Sequence, residues 1–187
     1  MTTYQHDADR DAPLNPEQEM WVELLAAMLS QKSFNMELGD LGYVFRNAIA
    51  KMISSSHHYW ISSNAEQLVL QSGLDLNVPI HTKKLFYGSN SKFDTIFEHI
   101  VPVGIIAVSL FQNREIKNNK KNVEKWIRGC GGVTVMTRTE DRALNKAGLG
   151  RKMPDGWILG DDPFKRYDAA NIDRPRTKLK SIGPICR

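Results

Sequence analysis

The sequence predicts a mainly helical α+β fold, and three observations carry that reading. Apolar residues recur at helical spacing through the first part of the chain. Strand-type runs are short and few, the clearest being residues 133–137. A chain of 187 residues with 41% apolar side chains is long enough for one domain with a real core.

In chain order, residues 1–14 are polar, carry Asp7, Asp9 and Asp11, and read as a disordered leader. Asn15 fits an N-cap, with Pro16 at the first helical position. Met20, Trp21, Leu24, Leu25, Met28 and Leu29 then keep helical spacing. A second helix is expected over residues 36–54, with Leu38, Leu41, Val44, Phe45, Ala48, Ile49 and Met52 in its buried stripe. A third is expected over residues 60–71, stopped by Gly73. Residues 78–87 read as extended, before a turn at residues 88–91.

Residues 93–103 are apolar and fit either a strand or a helix. Residues 104–111 read as a buried helix, with a strand as the alternative. Residues 113–128 form a basic helical pattern with Val123, Trp126 and Ile127 facing inward. Glycines at 129, 131 and 132 break the chain before the strand at 133–137. A helix then follows with Thr139 as its expected N-cap, ended by Gly148 and Gly150. A short helix is expected from Pro163 to Ala170, and the basic tail after Asn171 reads as loosely ordered. The resulting segments are a leader (1–14), a helical subdomain (15–92), a central unit that holds the strand at 133–137 and the helix after it (93–150), and a basic extension (151–187).

The net charge of +4 hides a strong asymmetry. Residues 1–113 hold 7 Lys/Arg against 12 Asp/Glu, and residues 114–187 hold 18 against 9. A concentrated positive field attracts polyanions and speeds their encounter. Arg138, Arg142, Lys146, Arg151 and Lys152 could line a phosphate groove, or form a solvated helix face. No apolar run approaches the length that spans a bilayer. The first residues lack the basic and apolar regions of a signal peptide. The expectation is a soluble, cytoplasmic protein with no membrane partner. Cys130 and Cys186 lack Cys-x-x-Cys spacing, so they make no cysteine-rich zinc site, and two reduced thiols are expected. His57 and His58 point in different directions on regular structure and are poor candidates for one shared metal; His6 and His81 are poorer still.

The chemistry concentrates at Glu98-His99-Ile100-Val101-Pro102 and at Met136-Thr137-Arg138-Thr139-Glu140-Asp141-Arg142-Ala143-Leu144-Asn145. These two stretches resemble the half-motifs of the HNH nucleases, in the ββα-metal (His-Me finger) superfamily. The resemblance covers residues 94–149. It implies two strands and a helix gathered around one divalent ion, Mg²⁺ or Mn²⁺, with DNA as the partner and phosphodiester hydrolysis as the reaction. By the same resemblance His99 is the general base and Glu98 a metal ligand. Asp141 and Asn145, one helical turn apart, supply further oxygens to the ion. The chain departs from the family in three ways. Gly131-Gly132 stand where the middle Asn usually lies, the two halves are far apart, and zinc-knuckle cysteines are missing.

The same residues fit plainer roles. A Glu-His pair on an apolar segment also fits a buried histidine with a hydrogen-bond partner. Asp141 in a first turn also fits helix-dipole stabilisation, and Asn145 a surface position. Beside the endonuclease stand two alternatives: a non-catalytic nucleic-acid-binding protein on a degenerate HNH scaffold, and a basic interaction module of a toxin or anti-defence system.

Overall fold

A four-stranded mixed sheet organises the molecule, and helices cover both of its faces. The computed structural model describes residues 13–31, 34, 39–76, 86, 92–113, 116, 119–130, 132–158 and 160–180. Seven helices and four strands lie among these residues, which makes the chain a mainly helical α+β protein. Nothing among the described residues is a helix long and apolar enough to cross a membrane. Most of the expected leader, the expected strand at 78–87 apart from Phe86, His6, His81, Gly131 and Cys186 lie outside the described residues.

Helix α1 (Pro16–Ser30) starts as its sequence dictates. The Asn15 side chain accepts from Gln18 N, and Gln18 returns the bond in a capping box. Helix α2 (Gly39–Ser54) lies antiparallel to it, since Asn15 Nδ2 and Gln18 Nε2 reach the carbonyls of Ser55 and Met52. Of its expected stripe Phe45, Ala48, Ile49 and Met52 are buried, Leu41 and Val44 are exposed, and Leu38 lies outside the described residues. Strand β1 (His58–Ile61) and helix α3 (Ser63–Gln71) follow. The single helix expected over 60–71 is corrected here. Tyr59 and Ile61 are buried and alternate with more exposed His58 and Trp60, a period of two. Ser62 then caps α3 by accepting from Ala65 N.

Strand β2 (Thr95–His99) resolves the ambiguity of 93–103. Helix α4 (Val103–Gln112) buries Ile106, Ala107 and Leu110, as expected for a buried helix. Helix α5 (Lys120–Gly129) begins later than its basic pattern suggested, because Asn119 takes the N-cap and accepts from Lys121 N. Strand β3 (Val133–Thr137) runs directly into helix α6 (Arg138–Lys146). Its N-cap is Thr137, two residues before the expected Thr139. Gly148 adopts φ +73° just beyond the helix, a left-handed conformation that favours glycine. Helix α7 (Lys165–Ala169) is followed by strand β4 (Thr177–Lys180). The tail at 177–180 is therefore an ordered strand, held by pairing and by burial of Leu179 alone among its four residues.

The strand order is β2-β3-β1-β4. Strands β2 and β3 are antiparallel, with Thr95 opposite Thr137 and His99 opposite Val133. Strand β1 runs parallel to β3 and antiparallel to β4. The sheet thus draws one strand from the expected helical subdomain and one from the expected basic extension. Side chains alternate between its faces. Tyr59, Ile61, Phe97, Val133, Val135 and Leu179 join the large core with α1, α2, α4 and α5. Trp60, Ile96 and Met136 join a small core with Leu144 of α6 and with Phe164 and Tyr167. Each fully buried large apolar side chain contributes roughly 1.5–3 kcal/mol, so the first face carries most of the stability.

Candidate functional site

Glu98 and His99 are neighbours on β2, so the strand sends them to opposite faces. Glu98 lies on the face covered by α6 and α7. Its side chain is 21% exposed, and the Arg166 guanidinium, 0% exposed, donates to its Oε1 at 2.5 Å. Arg166 also donates to the His99 carbonyl through Nη2 and to the Leu149 carbonyl through Nη1 at 3.1 Å. This one side chain ties α7, the segment after α6 and the end of β2 together. Burial pushes the Glu98 carboxyl above its usual range, Arg166 opposes that shift, and the negative charge of Asp141 adds to it.

Asp141 is half-buried and near enough to Glu98 to repel it. Asn145 Nδ2 donates to the Asp141 carbonyl at 2.9 Å and to its carboxylate at 3.2 Å. The Asn145 amide oxygen is turned toward Gly150, where a Cβ would stand 2.1 Å from it. A Cβ at 150 would push aside only the exposed tip of the Asn145 side chain, since the nearest backbone atom, the Asn145 Cα, stands at 3.7 Å. Glu98, Asp141 and Asn145 come together on one face, and Arg166 and Tyr167 stand at the base of the group. Burial pushes the Tyr167 hydroxyl, which lies against Thr134, up to about 12.

His99 is placed elsewhere. Its imidazole hydrogen-bonds the Ala50 carbonyl of α2, and its Nε2 is shielded from solvent without a partner. Burial first, then the positive charge of Arg166, lowers its pKa to about 4. The ring is neutral at pH 7, as a general base must be. It faces the helical layer and not the Glu98–Asp141–Asn145 group.

These donors do not fit a divalent cation as they stand. The guanidinium occupies the Glu98 carboxylate, the Asn145 oxygen points at Gly150, and the imidazole lies across the sheet. Among the described residues no group of three or more His, Cys, Asp or Glu side chains is placed to hold a metal ion. His58, on β1, is exposed and held below its ordinary pKa by burial, then by Lys180 and His57. Cys130 is buried, with its thiol on the Trp126 carbonyl and pushed up to about 12 by burial.

The basic series is disposed differently. Arg138, Arg142 and Lys146 are exposed along the outer side of α6, and Arg151 and Lys152 are exposed just beyond it. Arg138 pairs with Asp94 at 2.8 Å, at the surface. The other four form no ion pair among the described residues.

Sequence reasoning missed Arg166 and the second role of Glu140. Glu140 stands in the first turn of α6. It is buried, and its carboxylate accepts from Ser62 Oγ at 2.7 Å, Asn64 Nδ2 at 3.0 Å and Thr137 N at 2.8 Å. Glu140 therefore welds α6 to the start of α3. The only local signal was the Thr137-x-x-Glu140 capping box. The Thr137 hydroxyl is a fourth donor, at 2.8 Å, so Glu140→Ala strands four donors and is expected to cost roughly 2–4 kcal/mol, read from thermal or urea unfolding. Arg166 had a fainter signal, a cation between Phe164 and Tyr167, both buried.

No family model, curated protein or solved structure matches this chain.

Proposed function

We propose that this protein binds nucleic acid, DNA foremost, through the outer face of α6 and the residues that follow it, without hydrolysing it. The observation that carries this reading is the row Arg138, Arg142 and Lys146, continued by exposed Arg151 and Lys152. Like charges four residues apart on a helix cost a few tenths of a kcal/mol each. A row of phosphates turns that cost into attraction, with release of condensed counterions. The surrounding chain supports it, with 18 Lys/Arg against 9 Asp/Glu over residues 114–187.

The hydrolytic version of the reading keeps Glu98, Asp141 and Asn145 as ion-binding oxygens and His99 as base. It has their shared face and the β2–β3–α6 arrangement in its favour. It requires Arg166 to leave Glu98 and the His99 ring to turn away from α2. The non-catalytic version needs neither movement, and the geometry favours it.

Fluorescence anisotropy with a labelled DNA duplex tests the binding. About four phosphate contacts would weaken affinity roughly 10²-fold between 50 and 200 mM salt. Arg142→Glu with Lys146→Glu is expected to abolish most of that binding, while chelator leaves it unchanged. Weak binding that is indifferent to salt and to the double variant overturns the proposal. In parallel, supercoiled plasmid is incubated with Mg²⁺ or Mn²⁺. Nicking by the wild type that is lost in His99→Ala would restore the hydrolytic version.

A further inference from the structure

The chain that leaves α6 passes from one face of the sheet to the other within a few residues. Gly148 N donates to the Asn145 carbonyl at 3.0 Å, and Leu149 N to the Leu144 carbonyl at 2.9 Å. With Gly148 at φ +73°, these bonds make a Schellman turn. A Cβ at 148 would meet nothing within 4 Å, so the backbone angle alone calls for glycine there. Leu149 then packs against the small core that contains Leu144, on the face covered by α6. Four residues later Met153 is buried in the large core, on the other face. Four residue steps reach at most about 14 Å. Residues 149–153 are therefore a short strap around the rim of the sheet, anchored at both ends. Arg151 and Lys152 are exposed on it. The anchors fix where their backbone lies, while their side chains face solvent.

We propose that Gly148 is a positioning residue of the nucleic-acid face. Its left-handed turn sets the strap, so that Arg151 and Lys152 continue the row of α6 onto the same duplex. A cation on a free loop must be ordered before it holds a phosphate, and that ordering opposes binding. On an anchored strap much of the ordering is done when the chain folds. Gly148 touches no phosphate itself and acts through the two cations. This role rests on the nucleic-acid reading and adds to it what holds one end of the binding face. The plainer alternative is a turn that only ends α6, followed by two solvated cations, and the test must separate the two.

The probe is the labelled DNA duplex, followed by fluorescence anisotropy. At about 100 mM salt, Arg151→Gln with Lys152→Gln should weaken binding roughly 10- to 60-fold and lower the salt slope by about 1.8. Gly148→Val places a β-branched residue where the left-handed conformation least accepts one. It should weaken binding about 5- to 30-fold with no change in charge. Gly148→Asn, which tolerates that conformation, should bind as the wild type does. In the background that lacks both cations, Gly148→Val should change affinity less than about 2-fold, because it acts only through them. If Gly148→Val unfolds part of the protein, two glycines inserted between Gly150 and Arg151 take its place. They slacken the strap and leave α6 and the charge as they were. The positioning role is overturned if the turn variant, or the insertion in its place, binds the duplex as tightly as the wild type. It is also overturned if the loss is the same with and without the two cations, as a turn that only ends α6 would give. A wild type that binds no duplex ends the nucleic-acid reading itself, and this role with it.

Discussion

Arg166→Met is expected to lower stability by about 3–5 kcal/mol. The guanidinium is wholly buried and serves the Glu98 carboxylate and the carbonyls of His99 and Leu149. Removing it leaves a mostly buried carboxylate and two carbonyl groups without their donor. Domains of this size have only about 5–15 kcal/mol to lose. Urea unfolding should show a large fall in midpoint with the slope kept. Glu98→Gln added to Arg166→Met should recover part of the loss, since the orphaned charge goes with it. A loss below about 1 kcal/mol would mean that the pair is not formed in solution. The same double variant bears on function. It frees the face where Asp141 and Asn145 lie without touching the basic row of α6, so duplex binding by the folded fraction should be unchanged.

The second large effect is a pH dependence set by His99. Its pKa falls from the ordinary 6.5 to about 4 on folding. Between those values the unfolded chain binds a proton that the folded chain does not, so stability rises with pH. The contribution is complete above pH 6.5 and is lost as pH falls through 4. A shift of this size corresponds to about 3 kcal/mol. Glu98 works the other way, because its folded pKa is raised and it takes up a proton more readily when folded. A His99→Gln variant separates the two, since Glu98 is common to both proteins and glutamine can still donate to the Ala50 carbonyl. Stability measured at pH 7 and at pH 4 should fall by about 3 kcal/mol more in the wild type than in His99→Gln. Equal falls would show that folding does not lower the pKa of the ring.

Much of the local structure was legible. Asn15, Pro16 and the apolar spacing after them placed α1, and the strand-to-helix passage at 133–146 was read to within two residues. Both depend on neighbours in sequence: a cap bonds three residues on, and an amphipathic stripe repeats each turn. What failed were the elements whose state is chosen at a distance. Trp60 has helical company on its C-terminal side, yet β1 is a strand because β3 and β4 pair with it. Residues 177–180 carry two lysines and little apolar surface, and become a strand by the same pairing.

The candidate site divides in the same way. The sequence by itself determined that a carboxylate and an imidazole lie side by side on an apolar segment, and that a strand at 133–137 leads into a basic helix. It determined too that the C-terminal part of the chain carries the positive charge. Only the tertiary structure decided that His99 turns to α2 while Glu98 turns to Arg166, a partner 68 residues later in the chain. Alternation along a strand separates two adjacent side chains, but burial against particular distant helices selects the face each one takes. The pairing of a buried guanidinium follows from that choice.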